Sequence, residues 1–185
     1  MQHSDKSDFG GSNTPVKIRD LWQTPMWLWN PLNDKYRFQL DVAASHHNHL
    51  CDRYFTIDDD ALTKSWDPVD GGIYRPEYTS VWCNPPYSET GKWVEKAALE
   101  AVDIISPIVM IVPADTSTKW FKFALETCSE IILLVGGRVN FVRADTQEEV
   151  KGNPKGSMLL TWNTSKTINC NLTYLDINEL KGIKK

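Results

Sequence analysis

Four consecutive residues, Asn84-Pro85-Pro86-Tyr87, carry the most chemistry in this chain. Asn84 offers a side-chain oxygen and Pro85 a main-chain carbonyl, two acceptors that could take both hydrogens of a planar exocyclic amine such as that of adenine. Such an amine is conjugated to its ring and is a poor nucleophile. Hydrogen bonds to two acceptors draw its lone pair out of conjugation and towards an incoming electrophile. The fixed φ of proline organises the acceptors before the amine arrives, so little entropy is lost on binding. Tyr87 adds a flat face on which an extruded base can stack, an interaction worth about 1–3 kcal/mol. The competing reading is an ordinary proline turn, since Asn before Pro is a common turn former.

The rest of the chain supplies elements that would position this corner. Thr79 to Cys83 is β-branched and aromatic and stops at two prolines, so it reads as a strand delivering a rigid turn. Thr90 to Ala101 has helical spacing of Trp93, Val94, Ala97 and Ala101. Phe38 to Ala44 reads as a buried strand running into a tight turn with Asp41 near its end, and Tyr54-Phe55-Thr56 as a short second strand leading to Asp58-Asp59-Asp60. Thr24 is a plausible helix N-cap, followed by Pro25 at the first helical position. Further on, Ile108 to Val112 is a central-type strand ending at Pro113, Thr118 to Cys128 a helix, and Ser157 to Trp162 a strand. Glu130–Val135 and Val139–Val142 flank Gly136-Gly137 as a hairpin would. Strands alternating with helices first, and strands following strands later, predict an α/β sheet that is parallel at first and gains antiparallel strands at its C-terminal edge. Open α/β sheets keep ligands at strand C-termini, which is where Asp41, Asn84 and Pro113 fall.

Composition narrows the class. The chain has 185 residues, room for one domain: a lead-in over 1–18, a domain over 19–178 and a basic tail over 179–185. No apolar run approaches the roughly 20 residues of a membrane span, and the first residues lack the apolar core of a secretory signal. Four dispersed cysteines suggest neither a disulfide framework nor a zinc ribbon, so a reducing cytoplasm is the default. His46, His47, His49 and Cys51 are crowded into one polar stretch without a distant partner, and no metal site is expected. A net charge of −4 argues against a protein that coats nucleic acid, but leaves room for a local basic face to which Lys119 and Arg138 could belong. Either could equally be solvated surface, and Arg138 could simply finish the hairpin.

With these motifs in view, the chain resembles the phage-type DNA N6-adenine methyltransferase (Dam) family. The likeness rests on Trp22-Gln23-Thr24-Pro25, on Leu40 to Ser45, on Tyr54-Phe55-Thr56 with Asp60-Ala61-Leu62 and Trp66, and on Val81 to Tyr87. Weaker echoes are Val112-Pro113-Ala114 with Trp120-Phe121, Gly137 to Phe141, and Ser157-Met158-Leu159. It implies a Rossmann-like class I methyltransferase sheet and transfer of a methyl group from S-adenosylmethionine to adenine N6 in double-stranded DNA, without a metal, by a phage-encoded enzyme acting in the host cytoplasm. It further implies that Asp41 and Ala43 belong to the cofactor turn, that Thr24 and Pro25 close the same pocket, and that an acid among Asp58, Asp59 and Asp60 serves the cofactor, Asp60 being preferred. Asn84, Pro85, Pro86 and Tyr87 would be the catalytic set.

The chain departs from the wider methyltransferase pattern in two ways. Ala43-Ala44 stands where many methyltransferases have a glycine-rich loop. Asp41 and Asn84 are 43 residues apart, too close for three strand-helix steps of about 30 residues each, so an element must be missing. Target readout would fall to loops at 71–78, 115–119 and 143–154. Two rival readings use the same residues: a methyltransferase for a protein glutamine amide or an RNA base, and a non-catalytic DNA-binding module. Oligomeric state is not legible.

Overall fold

The computed structural model describes residues 22–68, 79–143, 146–150, 153, 155–163 and 169–183. The expected lead-in, the loop at 71–78, parts of the loop at 143–154 and Lys184-Lys185 lie outside these residues. In chain order the elements are β1 (Trp22–Gln23), α1 (Met26–Tyr36), β2 (Phe38–Asp41), β3 (Arg53–Tyr54), β4 (Ser80–Cys83), a 3₁₀ turn (Tyr87–Glu89), α2 (Thr90–Asp103), β5 (Ile108–Pro113), α3 (Lys119–Thr127), β6 (Glu130–Val135), β7 (Val142–Arg143), β8 (Ser157–Trp162), β9 (Asn171–Asp176) and α4 (Ile177–Leu180).

Seven strands form one sheet in the order β3-β2-β4-β5-β8-β6-β9, and β1 with β7 makes a separate two-stranded ribbon. The pairings β2–β3, β2–β4, β4–β5 and β6–β9 are parallel. β8 runs against both its neighbours. This corrects the expectation of antiparallel strands at the C-terminal edge: one strand is reversed, it lies inside the sheet, and the edge strand β9 is parallel to β6. β9 follows β8 in the chain but lies beyond β6 in the sheet, antiparallel to β8. A mostly parallel sheet with helices is thus present, compatible with a Rossmann-like methyltransferase.

The period of two sorts the sheet's side chains into two cores. Val81, Cys83, Ile108, Met110 and Val112 face the layer of α2 and α3, joined there by Trp93, Val94 and Ala97. Trp82, Val109 and Ile111 face the opposite layer, where Leu28, Trp29 and Leu32 of α1 pack. Strands buried on both faces read as unbroken apolar runs, which is why β4, β5 and β8 were legible. Among the described residues between β2 and β4, the only strand is the two-residue β3. Trp66 fills part of the space there, fully buried, with its indole N–H donating to the Ala61 carbonyl and its backbone N–H to Glu100.

Three local expectations change. Pro25, not Thr24, holds the N-cap position of α1 and no side chain caps it. No hairpin forms at Gly136-Gly137: β6 pairs with β8 and β9, while Val142 pairs with Gln23 of β1. Gly136, at φ 82°, instead turns the chain so that its carbonyl accepts from the Asn178 side-chain amide at 2.9 Å. Finally, α4 crosses the expected boundary at residue 178, with Ile177 buried and Leu180 packed on the core. Among the described residues no helix is long and apolar enough to cross a membrane.

Candidate active site

The C-terminal ends of β2, β3 and β4 converge on a cavity of about 560 Å³, a size suited to a cofactor. Its floor is Val42, Ala43 and Ala44, its outer wall Phe55 to Ile57 with Asp60 to Leu62, and its inner wall Pro86, Ser88, Glu89 and Trp93. Main-chain bonds strap the floor in place: the Val42 amide donates to the Trp82 carbonyl at 3.0 Å and the Ala44 amide to the Phe55 carbonyl at 3.0 Å. The backbone of Ala43-Ala44 is therefore fixed from both neighbouring strands without a glycine.

Asp41 does not line this cavity. It is buried behind the turn, where Oδ1 accepts from the Ala43 amide at 3.3 Å and Oδ2 from the Leu50 amide at 3.1 Å. Burial pushes its carboxyl up to about 6, against the pull of those two amides and of His49. Of the three acids in the next loop, Asp59 is committed to structure, accepting from both the amide and the hydroxyl of Thr56, which lower its pKa. Asp58 is exposed and outside the cavity lining, whereas Asp60 lines it from a left-handed backbone position at φ 51°. Ile57 beside it is 93% exposed, an apolar side chain left on the rim of a cavity. Phe55, Ile57 and Trp93 were not singled out as ligand contacts in the sequence; an isolated apolar residue before an acidic run was the available signal.

The Asn84 corner shares Pro86 with the cavity wall. Asn84 Nδ2 donates to the Trp22 carbonyl at 2.8 Å, which leaves Oδ1 pointing away as a free acceptor. Pro85 is buried and Tyr87 half-buried. The Tyr87 ring meets Phe141 edge to face, with centroids 5.8 Å apart, and burial pushes its phenol well above the usual range. Across from this corner, Asp115 is pulled down to about 2, chiefly by the Lys155 ammonium that donates to it at 2.7 Å. Lys119 is exposed at the start of α3; Arg138 is exposed and donates to the Asn153 carbonyl at 2.7 Å. Both basic residues follow strand ends on the rim that holds Asn84. Thr24 is buried, with a hydroxyl that has no partner.

His46 and His49 pack on Tyr54, and among the described residues no three His, Cys, Asp or Glu side chains group around a metal-sized space. The site therefore belongs to an α/β protein with a cofactor-sized cavity next to a rigid pair of acceptors, the arrangement of an amine-modifying methyltransferase. A family model described as DNA N-6-adenine-methyltransferase (Dam) matches residues 11–184. The chain belongs to the DNA N-6-adenine-methyltransferase (Dam) family. It is 33% identical over 166 residues to a DNA N-6-adenine-methyltransferase of Escherichia phage T1, covering 82% of this chain and 66% of that protein. It is 30% identical over 173 residues to a protein of the same name from Haemophilus phage HP1, covering 92% of this chain and 94% of that protein.

Proposed function

We propose that this chain transfers a methyl group from S-adenosylmethionine to N6 of an adenine turned out of double-stranded DNA, on a class I methyltransferase sheet. The observation that carries the reading is the shared wall. Pro86 lines the cavity and belongs to the corner that presents Asn84, so a donor in the cavity lies next to an amine at the corner. When bound, the donor supplies an electrophilic sulfonium methyl group.

The chain's own residues supply binding and placement. Ala43 forms the floor, held at its amide by the Asp41 carboxylate. Asp60 is available to the donor's hydroxyls, and the indole N–H of Trp93, buried in the cavity wall with no partner, is a donor awaiting an acceptor. Thr24 and Pro25 do not line the cavity, and the unpaired Thr24 hydroxyl is a buried polar group that costs about 1–3 kcal/mol. Asn84 Oδ1 and the Pro85 carbonyl take the amine's hydrogens, and the exposed part of Tyr87 stacks the base. The amine becomes acidic only as it gains the methyl group, and its proton leaves along those acceptors to water. Lys119 and Arg138 meet phosphates.

The test is incubation with methyl-labelled S-adenosylmethionine and unmethylated double-stranded DNA, RNA or protein in parallel. Label in N6-methyladenine of the DNA is expected. Label only in RNA or in protein, or none with the donor unbound by calorimetry, overturns the reading. Two smaller effects are expected in the same calorimeter. Asp60→Ala weakens donor binding by about tenfold, the worth of a hydrogen bond to a charged group, while Asp58→Ala leaves it unchanged. Thr24→Val stabilises the free protein by roughly 1 kcal/mol, because it removes a buried hydroxyl that has no partner.

A further inference from the structure

The ribbon of β1 and β7 joins segments more than a hundred residues apart, and nothing assigned so far explains what it is for. It pairs Trp22 with Arg143 and Gln23 with Val142, and this pairing places the Trp22 carbonyl against the Asn84 amide. The Trp22 ring stacks on Phe141 with centroids 6.0 Å apart and planes 21° from parallel. Phe141, 1% exposed, also meets the Tyr87 ring at 5.8 Å, its plane at 88°. One aromatic side chain therefore touches both ends of the tetrapeptide, Tyr87 directly and Asn84 through the residue that holds its amide.

We propose that Phe141 is a positioning residue, which with the Trp22 carbonyl fixes the Asn84 amide so that its oxygen, not its nitrogen, faces the substrate amine. The proposal rests on the reading above and deepens it. An asparagine side chain free to rotate by half a turn presents NH2 to the amine as readily as oxygen, and a donor opposite a donor cannot take the amine's hydrogen. The Trp22 carbonyl accepts only, so it selects the nitrogen and leaves Oδ1 outward. It also makes asparagine obligatory here: an aspartate carboxylate has acceptors to offer the amine but nothing to donate to Trp22, and would face that carbonyl oxygen to oxygen.

Two substitutions and one spectrum test this. Phe141→Leu keeps the site apolar and filled, so a packing role is largely retained, but it removes the flat ring on which Trp22 rests. Its folding is checked by thermal melting. The expected result is a fall in kcat of roughly tenfold or more with the KM for S-adenosylmethionine unchanged, in line with the cost of small misplacements at a reacting centre. Asn84→Asp is expected to fall to within about threefold of Asn84→Ala, because its retained oxygens are no longer held. In protein labelled with ¹⁵N at asparagine, the side-chain pair that disappears in Asn84→Ala should show one hydrogen protected from exchange, and lose that protection in Phe141→Leu. Wild-type kcat in a folded Phe141→Leu, substantial activity in Asn84→Asp, or two freely exchanging Asn84 hydrogens in the native protein overturns the proposal. If wild-type protein methylates no DNA, the functional reading fails instead, and the spectrum still decides whether the amide is held.

Discussion

Asn84→Ala is expected to lower kcat for DNA methylation by at least about a hundredfold, the range seen when one preorganised hydrogen-bonding group is removed from a reacting centre. The donor should bind it with near-native affinity. Asn84 is not among the residues of the cavity wall, and its own bond runs to Trp22, outside that cavity. The loss should therefore fall on kcat rather than on the KM for S-adenosylmethionine, the signature of an interaction made in the transition state. Stability should change little, because the side chain is only half-buried and makes one hydrogen bond. A variant that methylates DNA within a few-fold of wild type removes Asn84 from the chemistry, whatever the family relationship.

Asp41→Asn is expected to alter the pH dependence of folding more than any other single change in the turn after β2. The carboxyl has a folded value of about 6 against an ordinary value of 3.8. Below about pH 4 both folded and unfolded chains hold the proton and its contribution is complete. Between the two values only the folded chain holds it, so stability falls as the pH rises, until the folded group ionises as well near pH 6. A separation of about 2 units corresponds to roughly 3 kcal/mol lost between pH 4 and pH 7. Asparagine mimics the protonated acid: its oxygen can accept from Ala43 or Leu50, and it never ionises. Urea melts at pH 4, 5, 6 and 7 should show this decline in wild-type protein and a flatter profile in Asp41→Asn, with the variant gaining on wild type as pH rises. Parallel profiles would mean that the burial of Asp41 carries no proton linkage.

The corner at Asn84 was legible because its signals are local. A short buried strand, two prolines and an amphipathic helix follow one another within about twenty-five residues, and each punctuates the next. The buried strands β5 and β8 were legible for the same reason. β9 was not: Asn171 to Tyr174 are all exposed, so no inward face imposes a pattern, and the strand exists because β6 offers it an edge. Nor was the ribbon, whose strands of two residues leave no period to read. That Asp60 lines the cavity while Asp59 does not could not be read from the sequence, since their difference lies in which one the Thr56 amide captures. What holds Asn84 could not be read at all, because it is a main-chain oxygen, identical in every residue type.

The reversed strand β8 alters what the rim of the sheet can be made from. In a wholly parallel sheet only segments that leave strands arrive there, but β8 begins where its neighbours end, with Ser157 beside Pro113 and the Ala114 amide bonded to the Gly156 carbonyl at 2.8 Å. An incoming stretch of chain is thereby delivered to the same shore as the outgoing ones, and Lys155 reaches Asp115 across the junction. The described residues ahead of β8 are also tied back to the segment before them, the Val150 amide donating to the Phe141 carbonyl at 2.7 Å and Arg138 to the Asn153 carbonyl. The rim that holds Asn84 is thus assembled from chain running both into and out of the sheet.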